Sequence, residues 1–140
     1  MVPISITYQG DLRCVATHEP SNTSLTTDAP VDNMGKGESF SPTDLVATAL
    51  GTCIATTMAI VAARKGIVVP AGITVRVEKE MTSSAPRRIA SLRVTMQVPL
   101  PPDHPNRELL EKFAHGCPVH QSLHPDVKVD LSIEWTGAAS

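Results

Sequence analysis

Ser41-Pro42-Thr43-Asp44-Leu45-Val46-Ala47-Thr48-Ala49-Leu50-Gly51-Thr52-Cys53 opens the stretch that decides the fold, which continues through Ile54, Met58 and Val61 to Arg64-Lys65-Gly66. Ser41 is a good N-cap, Pro42 suits the first helical position, and Asp44 completes a variant of the capping box. Arg64 and Lys65 suit a helix C-terminus, and Gly66 is the stop. The spacing predicts one long helix whose apolar residues cover most of its circumference: Leu45, Val46, Ala49, Leu50, Ile54, Met58 and Val61. A helix apolar nearly all round must be buried on several sides. In so short a chain, either sheet wraps it or a second subunit shares it.

Outward from this helix the chain reads as strands. Ile4, Ile6 and Tyr8 alternate with polar residues, the period-2 signal of a strand. Gly10-Asp11 reads as a turn, and Leu12 to His18 as the return arm, with Leu12, Cys14 and Ala16 on one face and Arg13, Val15 and Thr17 on the other. Ser21 to Asp28 adds a short third strand, and Asp32 to Ser39 is a loop that holds Gly35-Lys36-Gly37-Glu38. Beyond the helix, Ile73 to Val77 and Ile89 to Val98 alternate, with a hairpin loop at 82–87. Four prolines, Pro99, Pro101, Pro102 and Pro105, lead into a helix over 106–115, Cys117-Pro118 starts another, and Val127 to Trp135 is the last strand. The order βββ-α-ββ-αα-β, joined by hairpins rather than βαβ crossovers, predicts a single α+β domain over 1–140 with a largely antiparallel sheet.

Composition excludes several function classes. The chain has 140 residues, with 12 Lys+Arg against 14 Asp+Glu and a net charge of -2, so it lacks the concentrated basic surface that nucleic acid or anionic membrane requires. Aromatics are 3 % of residues, too few for a base-stacking platform. Thr48, Thr52, Thr56 and Thr57 interrupt the longest apolar region, so no membrane span is expected, and the start of the chain lacks signal-peptide character. Three cysteines cannot all pair within one chain and fit a reducing cytoplasm.

The cysteines carry the chemistry. Cys53 lies mid-helix, where a small core hydrophobe is the plain reading; Thr57, one turn on, either leans toward its sulfur or bonds back to the helix. Cys117 occupies the N-cap of a short helix, where amide N–H groups and the dipole are expected to lower a thiol pKa. His120 follows on the same side of that turn, placed to pair with the thiolate, to ligate a metal or to face solvent. Cys53, Cys117 and His120 make only three ligands far apart in sequence, which argues against a metal site. Cys14 reads as packing. There is no nucleophile elbow, phosphate loop or dinucleotide fingerprint.

The helix stretch ending in Cys53, followed far downstream by Gly116-Cys117-Pro118-Val119, resembles the OsmC/Ohr superfamily of osmotically inducible and organic-hydroperoxide-resistance proteins, in its OsmC-like branch. The resemblance implies an intertwined bacterial homodimer with sheets wrapped around central helices. It implies a peroxidatic thiol at Cys53, oxidised to a sulfenic acid by an organic hydroperoxide and resolved by Cys117 to a disulfide. It further implies reduction by an external dithiol, such as a lipoylated protein, with no metal, haem or flavin cofactor. The family pocket is apolar, and Phe40, Ile54 and Met58 suit an alkyl chain. Family peroxidases ionise the thiol with an Arg held by a Glu. Here Thr43 stands at the Glu position, with Asp44 one residue displaced, and Asn33 near the Arg position of OsmC-type members. Arg13 stands near the Arg of Ohr-type members, and Lys36 and Glu38 can substitute if their loop folds inward. The absent Glu leaves a second reading open, a protein that binds or senses a small apolar or electrophilic ligand without turnover.

Overall fold

The computed structural model describes residues 1–139. Its elements run β1 (Ile4–Gly10), β2 (Arg13–His18), β3 (Thr23–Thr27), a 3-10 turn (Val31–Asn33), α1 (Pro42–Arg64), β4 (Thr74–Met81), β5 (Ile89–Val98), α2 (Arg107–Ala114), α3 (Pro118–Ser122) and β6 (Lys128–Trp135). The expected element order is met. Contacts divide the chain into two compact units, Met1–Val46 and the residues from Ala47 onward.

In the first unit, β1, β2 and β3 form an antiparallel meander. Leu12 belongs to the turn rather than to β2: Asp11 and Leu12 both adopt positive φ, 52° and 62°, as a two-residue hairpin turn requires. The register places Ile4, Ile6 and Tyr8 opposite His18, Ala16 and Cys14, and Leu25 opposite Ala16. The apolar alternation therefore builds one sheet face. That face is open: Ile4, Ile6, Tyr8 and Leu25 are all exposed.

At the start of α1, the Ser41 Oγ accepts the Asp44 N–H at 3.1 Å while the Asp44 carboxylate accepts the Ser41 N–H at 2.8 Å. This is the reciprocal capping box, which satisfies two amides that the helix itself leaves orphaned. At the other end Gly66 takes φ 70°, and the amides of Gly66 and Ile67 bond the carbonyls of Ala63 and Ala62 at 3.1 and 2.9 Å. That is the Schellman stop.

The second unit is a two-layer sandwich. β5 is central, antiparallel to β4 and parallel to β6. The parallel pair departs from the expected all-hairpin connection: β5 reaches β6 by a crossover through α2 and α3, because parallel neighbours cannot be joined by a tight turn. Register puts Val75, Val77, Leu92, Val94, Met96, Val98, Val129, Leu131, Ile133 and Trp135 on one face. The opposite face carries Arg76, Glu78, Arg93, Gln97, Asp130 and Glu134, and it is solvated. α1 lies on the apolar face, and a Cβ on Gly51 would stand 2.8 Å from Val77 Cγ2 and 3.4 Å from Val75 Cγ1. α2 lies there too: Trp135 Nε1 donates to Glu111 Oε1 at 2.7 Å, and the Arg107 guanidinium sits 5.7 Å above the indole while bonding Glu111 at 2.9 Å.

By length and composition alone α1 is apolar enough to cross a membrane, as the core helices of soluble proteins also are, despite its threonines. Helical geometry explains this: Thr52 and Thr56 turn their hydroxyls onto the carbonyls of Thr48 and Thr52 at 2.8 and 2.9 Å, so their polarity is spent within the helix. Leu50, Ile54 and Met58 meanwhile make core. A Gly51→Val variant has to push Val77 aside, an overpacking that costs about 1–3 kcal/mol. Thermal unfolding is expected to show a clear drop in Tm, with Gly51→Ala falling less because alanine favours the helix.

Candidate functional site: a cysteine pair on the second unit

Leu50, Ile54 and Met58 mark the buried face of α1, and at 3.6 residues per turn Cys53 and Thr57 fall on its flank. Cys53 is accordingly half-buried, while Cys117 is fully buried. The Thr57 hydroxyl lies 3.8 Å from Cys53 Sγ, so it leans toward the sulfur, where it can donate to a thiolate. Cys53 lies close enough to Cys117 to raise the pKa of its thiol. The two are unbridged. Residues 64 apart in sequence thus come near one another.

Cys117 is placed by local rules. It is the N-cap of α3, in extended conformation, with Pro118 following, and its sulfur accepts the His120 N–H at 3.4 Å. The expected fall in its pKa does not occur. Burial pushes the thiol up, and the neighbouring Cys53 sulfur adds to that; the His120 and Val119 amides pull the other way without prevailing. Desolvation disfavours the charged form more than a one-turn helix end favours it. The imidazole of His120 does not pair with the thiolate. Its Nδ1 donates to the His115 carbonyl at 3.2 Å, and only the backbone amide touches sulfur.

The remaining expected residues lie in the first unit. Asp44 is spent on its capping box. Arg13 forms ion pairs with Glu38 and, at 3.4 Å, with Asp28. Asp28 is a buried carboxylate that composition did not single out; an acid at the end of a strand followed by a glycine-bearing loop is the signal that could have found it. Its Oδ2 accepts the Glu38 N–H at 3.0 Å, and its other oxygen is buried without a hydrogen-bond partner among the described residues. The Glu38 amide, and then the charges of Arg13 and Lys36, hold its pKa low against the opposing effect of burial. The loop is further tied by Ser39 Oγ to the Thr26 carbonyl at 2.7 Å and by the Asp28 amide to the Phe40 carbonyl at 3.0 Å. Glu38 therefore pairs with Arg13 while remaining exposed, and Lys36, also exposed, acts on Asp28 only through its charge. Thr43 stands beside Ser41, with their hydroxyls 3.2 Å apart. Of the residues expected to suit an alkyl chain, Ile54 and Met58 are sealed in the core and Phe40 is exposed. No group of three metal-binding side chains forms among the described residues.

Sequence comparison matches residues 35–132 to the OsmC-like protein family. The chain belongs to that family. A crystal structure from Psychrobacter arcticus, named for an osmotic stress induced and detoxification response, is 42 % identical, with TM-score 0.87, covering 95 % of this chain and 96 % of that one. The organic hydroperoxide resistance protein OsmC of Legionella pneumophila is 17 % identical, with TM-score 0.76 over 96 % of each chain. An organic hydroperoxide resistance protein of Vibrio cholerae, with captopril bound in one of its active sites, is 21 % identical, with TM-score 0.68, covering 99 % of this chain and 94 % of that one. These last two share the OsmC-like fold with this chain. A search of curated proteins finds no match.

The raised Cys117 thiol has a consequence for stability. A group whose folded pKa is raised contributes stability in full below its unfolded pKa, and that stability is lost as pH rises through the folded value. Denaturant unfolding above about pH 8.5, the ordinary thiol pKa, is expected to show wild-type stability falling with pH, and a Cys117→Ala variant falling less steeply.

Proposed function

We propose that this OsmC-like protein is a thiol-dependent peroxidase for organic hydroperoxides. The nearness of Cys53, half-buried on α1, to the buried Cys117 at the N-cap of α3 carries the reading. The ionised Cys53 sulfur attacks the terminal peroxide oxygen, the O–O bond breaks, and the alcohol departs with a proton. Cys53 is left as a sulfenic acid. Cys117 then attacks the sulfenic sulfur, water leaves, and a disulfide forms. The adjacency supports this step because no distant segment has to travel. Thr57 is positioned to donate to the Cys53 thiolate and hold it for attack.

By the resemblance Arg13 stands near the ionising cation of Ohr-type members, and we propose that role for it. Its place between Asp28 and Glu38 supports a guanidinium fixed in direction, with Glu38 serving in place of the family glutamate that Thr43 replaces. An external dithiol closes the cycle, and the reducing cytoplasm of a bacterium is the compartment that suits it. No metal or organic cofactor enters the scheme. We further propose a homodimer in which the partner subunit covers the open face of Ile4, Ile6, Tyr8 and Leu25; an apolar sheet face of this kind is costly to leave in water.

Thiol titration after one equivalent of cumene hydroperoxide tests the catalytic reading. Wild type is expected to lose two thiols rapidly, Cys117→Ser one, and Cys53→Ser none. Turnover in Cys53→Ser falls by at least about 100-fold, the scale on which loss of a covalent nucleophile registers. Thiol loss in the wild type no faster than that of free cysteine would sink the peroxidase and leave ligand binding without turnover, seen as ligand-dependent stabilisation. Light scattering at micromolar concentration tests the dimer: Ile6→Glu is expected to shift the mass from two chains to one.

A further inference from the structure

Resting on the disulfide of the proposed cycle, a second question concerns which of its two sulfurs the reductant attacks. Thiol–disulfide exchange is an in-line displacement: the incoming thiolate approaches one sulfur along the S–S axis, from the side opposite the sulfur that leaves. Cys117 is 0 % exposed, and its sulfur is closed in by the first turn of α3, whose His120 N–H lies 3.4 Å away. The line of attack on Cys117 runs through the core. Cys53 sits on the flank of α1 and is partly exposed, so the line of attack on it starts from solvent.

We infer that an external thiolate attacks the Cys53 sulfur, so that the mixed disulfide forms on Cys53 and Cys117 leaves. The electron pair of the incoming thiolate makes the new S–S bond to Cys53. The pair of the old bond departs on Cys117 as a thiolate. There the His120 amide receives the charge, and a proton follows, since burial favours the neutral thiol at this position. A second thiolate then attacks the reductant's own sulfur and frees Cys53. Two thiols of the reductant are oxidised to one disulfide, and one protein disulfide is reduced to two thiols. Leaving-group chemistry alone favours the opposite order, because a thiol with a raised pKa leaves more slowly. Access outweighs it: a sulfur with no exposed surface cannot be approached, whereas a poorer leaving group is only slower.

The test forms the disulfide without peroxide, by oxidising the protein with the diazene oxidant diamide. The Cys14→Ser variant and the wild type are run side by side, so that the result survives a folding defect in the variant; Cys14 adducts in the wild type are counted separately. The oxidised protein is mixed with 2-nitro-5-thiobenzoate and quenched with acid at early times. Adducts are then located by peptide mass spectrometry. The adduct on Cys53 is expected to exceed that on Cys117 by about tenfold or more, as access-controlled exchange requires. An adduct on Cys117 at equal or greater level overturns the inference, as does failure of diamide to bridge the pair. A Cys53 adduct in a protein that does not consume hydroperoxide keeps the order of attack and discards the peroxidase.

Discussion

The close approach of α1 to the β4-β5-β6 sheet at Gly51 is the constraint on which the second unit depends. A side chain there would press on Val77, so glycine lets the helix settle to this depth without displacing it. Depth and helical periodicity then settle everything along α1. Leu50, Ile54 and Met58 disappear into the core, and Cys53 and Thr57 come out on the flank. A helix held an ångström or two higher would carry Cys53 away from the N-cap of α3. α2 fixes the other half of the meeting. Its Glu111, bonded by Trp135 and Arg107, ties the helical pair to the last strand, and Cys117 follows three residues after α2 ends.

The two sulfurs differ in kind because their settings differ. Cys117 has the better amide donors and the worse solvation, and solvation decides: its thiol stays protonated. Cys53 has a hydroxyl at its side and a path to solvent. One sulfur that is partly exposed and one that is sealed form an asymmetric pair, and in the proposed cycle that asymmetry would order both the oxidising and the reducing half.

The first unit is organised around a charge rather than a core. Asp28, buried at the end of β3, binds the Glu38 amide and the Arg13 side chain, and so folds the loop over 29–39 back on its sheet. Its depressed pKa means that this contribution is present above the ordinary carboxylate range and is lost as pH falls through the folded value. Beside this polar anchor lies an apolar sheet face with nothing over it in the single chain.

Much of this was legible in the residues. The capping box at Ser41 and Asp44, the Gly66 stop, the strand over 89–98 and the N-cap role of Cys117 all follow from short-range rules, because each is settled by atoms within a turn or two of sequence. The family was legible as well, since the helix stretch ending in Cys53 and the distant Cys-Pro-Val are specific together. What sequence could not decide were outcomes of competition at long range. The parallel pairing of β5 and β6 depends on where the α2–α3 crossover lands. The sign of the Cys117 shift depends on how completely the core closes over a sulfur that local rules would have ionised. His120 turned its ring to a carbonyl, and Asp28 became an anchor, because partners 5 and 10 residues away were brought to hand. Sequence by itself determined which atoms could do chemistry and which segments could fold. Tertiary structure decided which of those atoms touch and which are shielded from water, since desolvation and contact are properties of the packed chain and not of any segment in it.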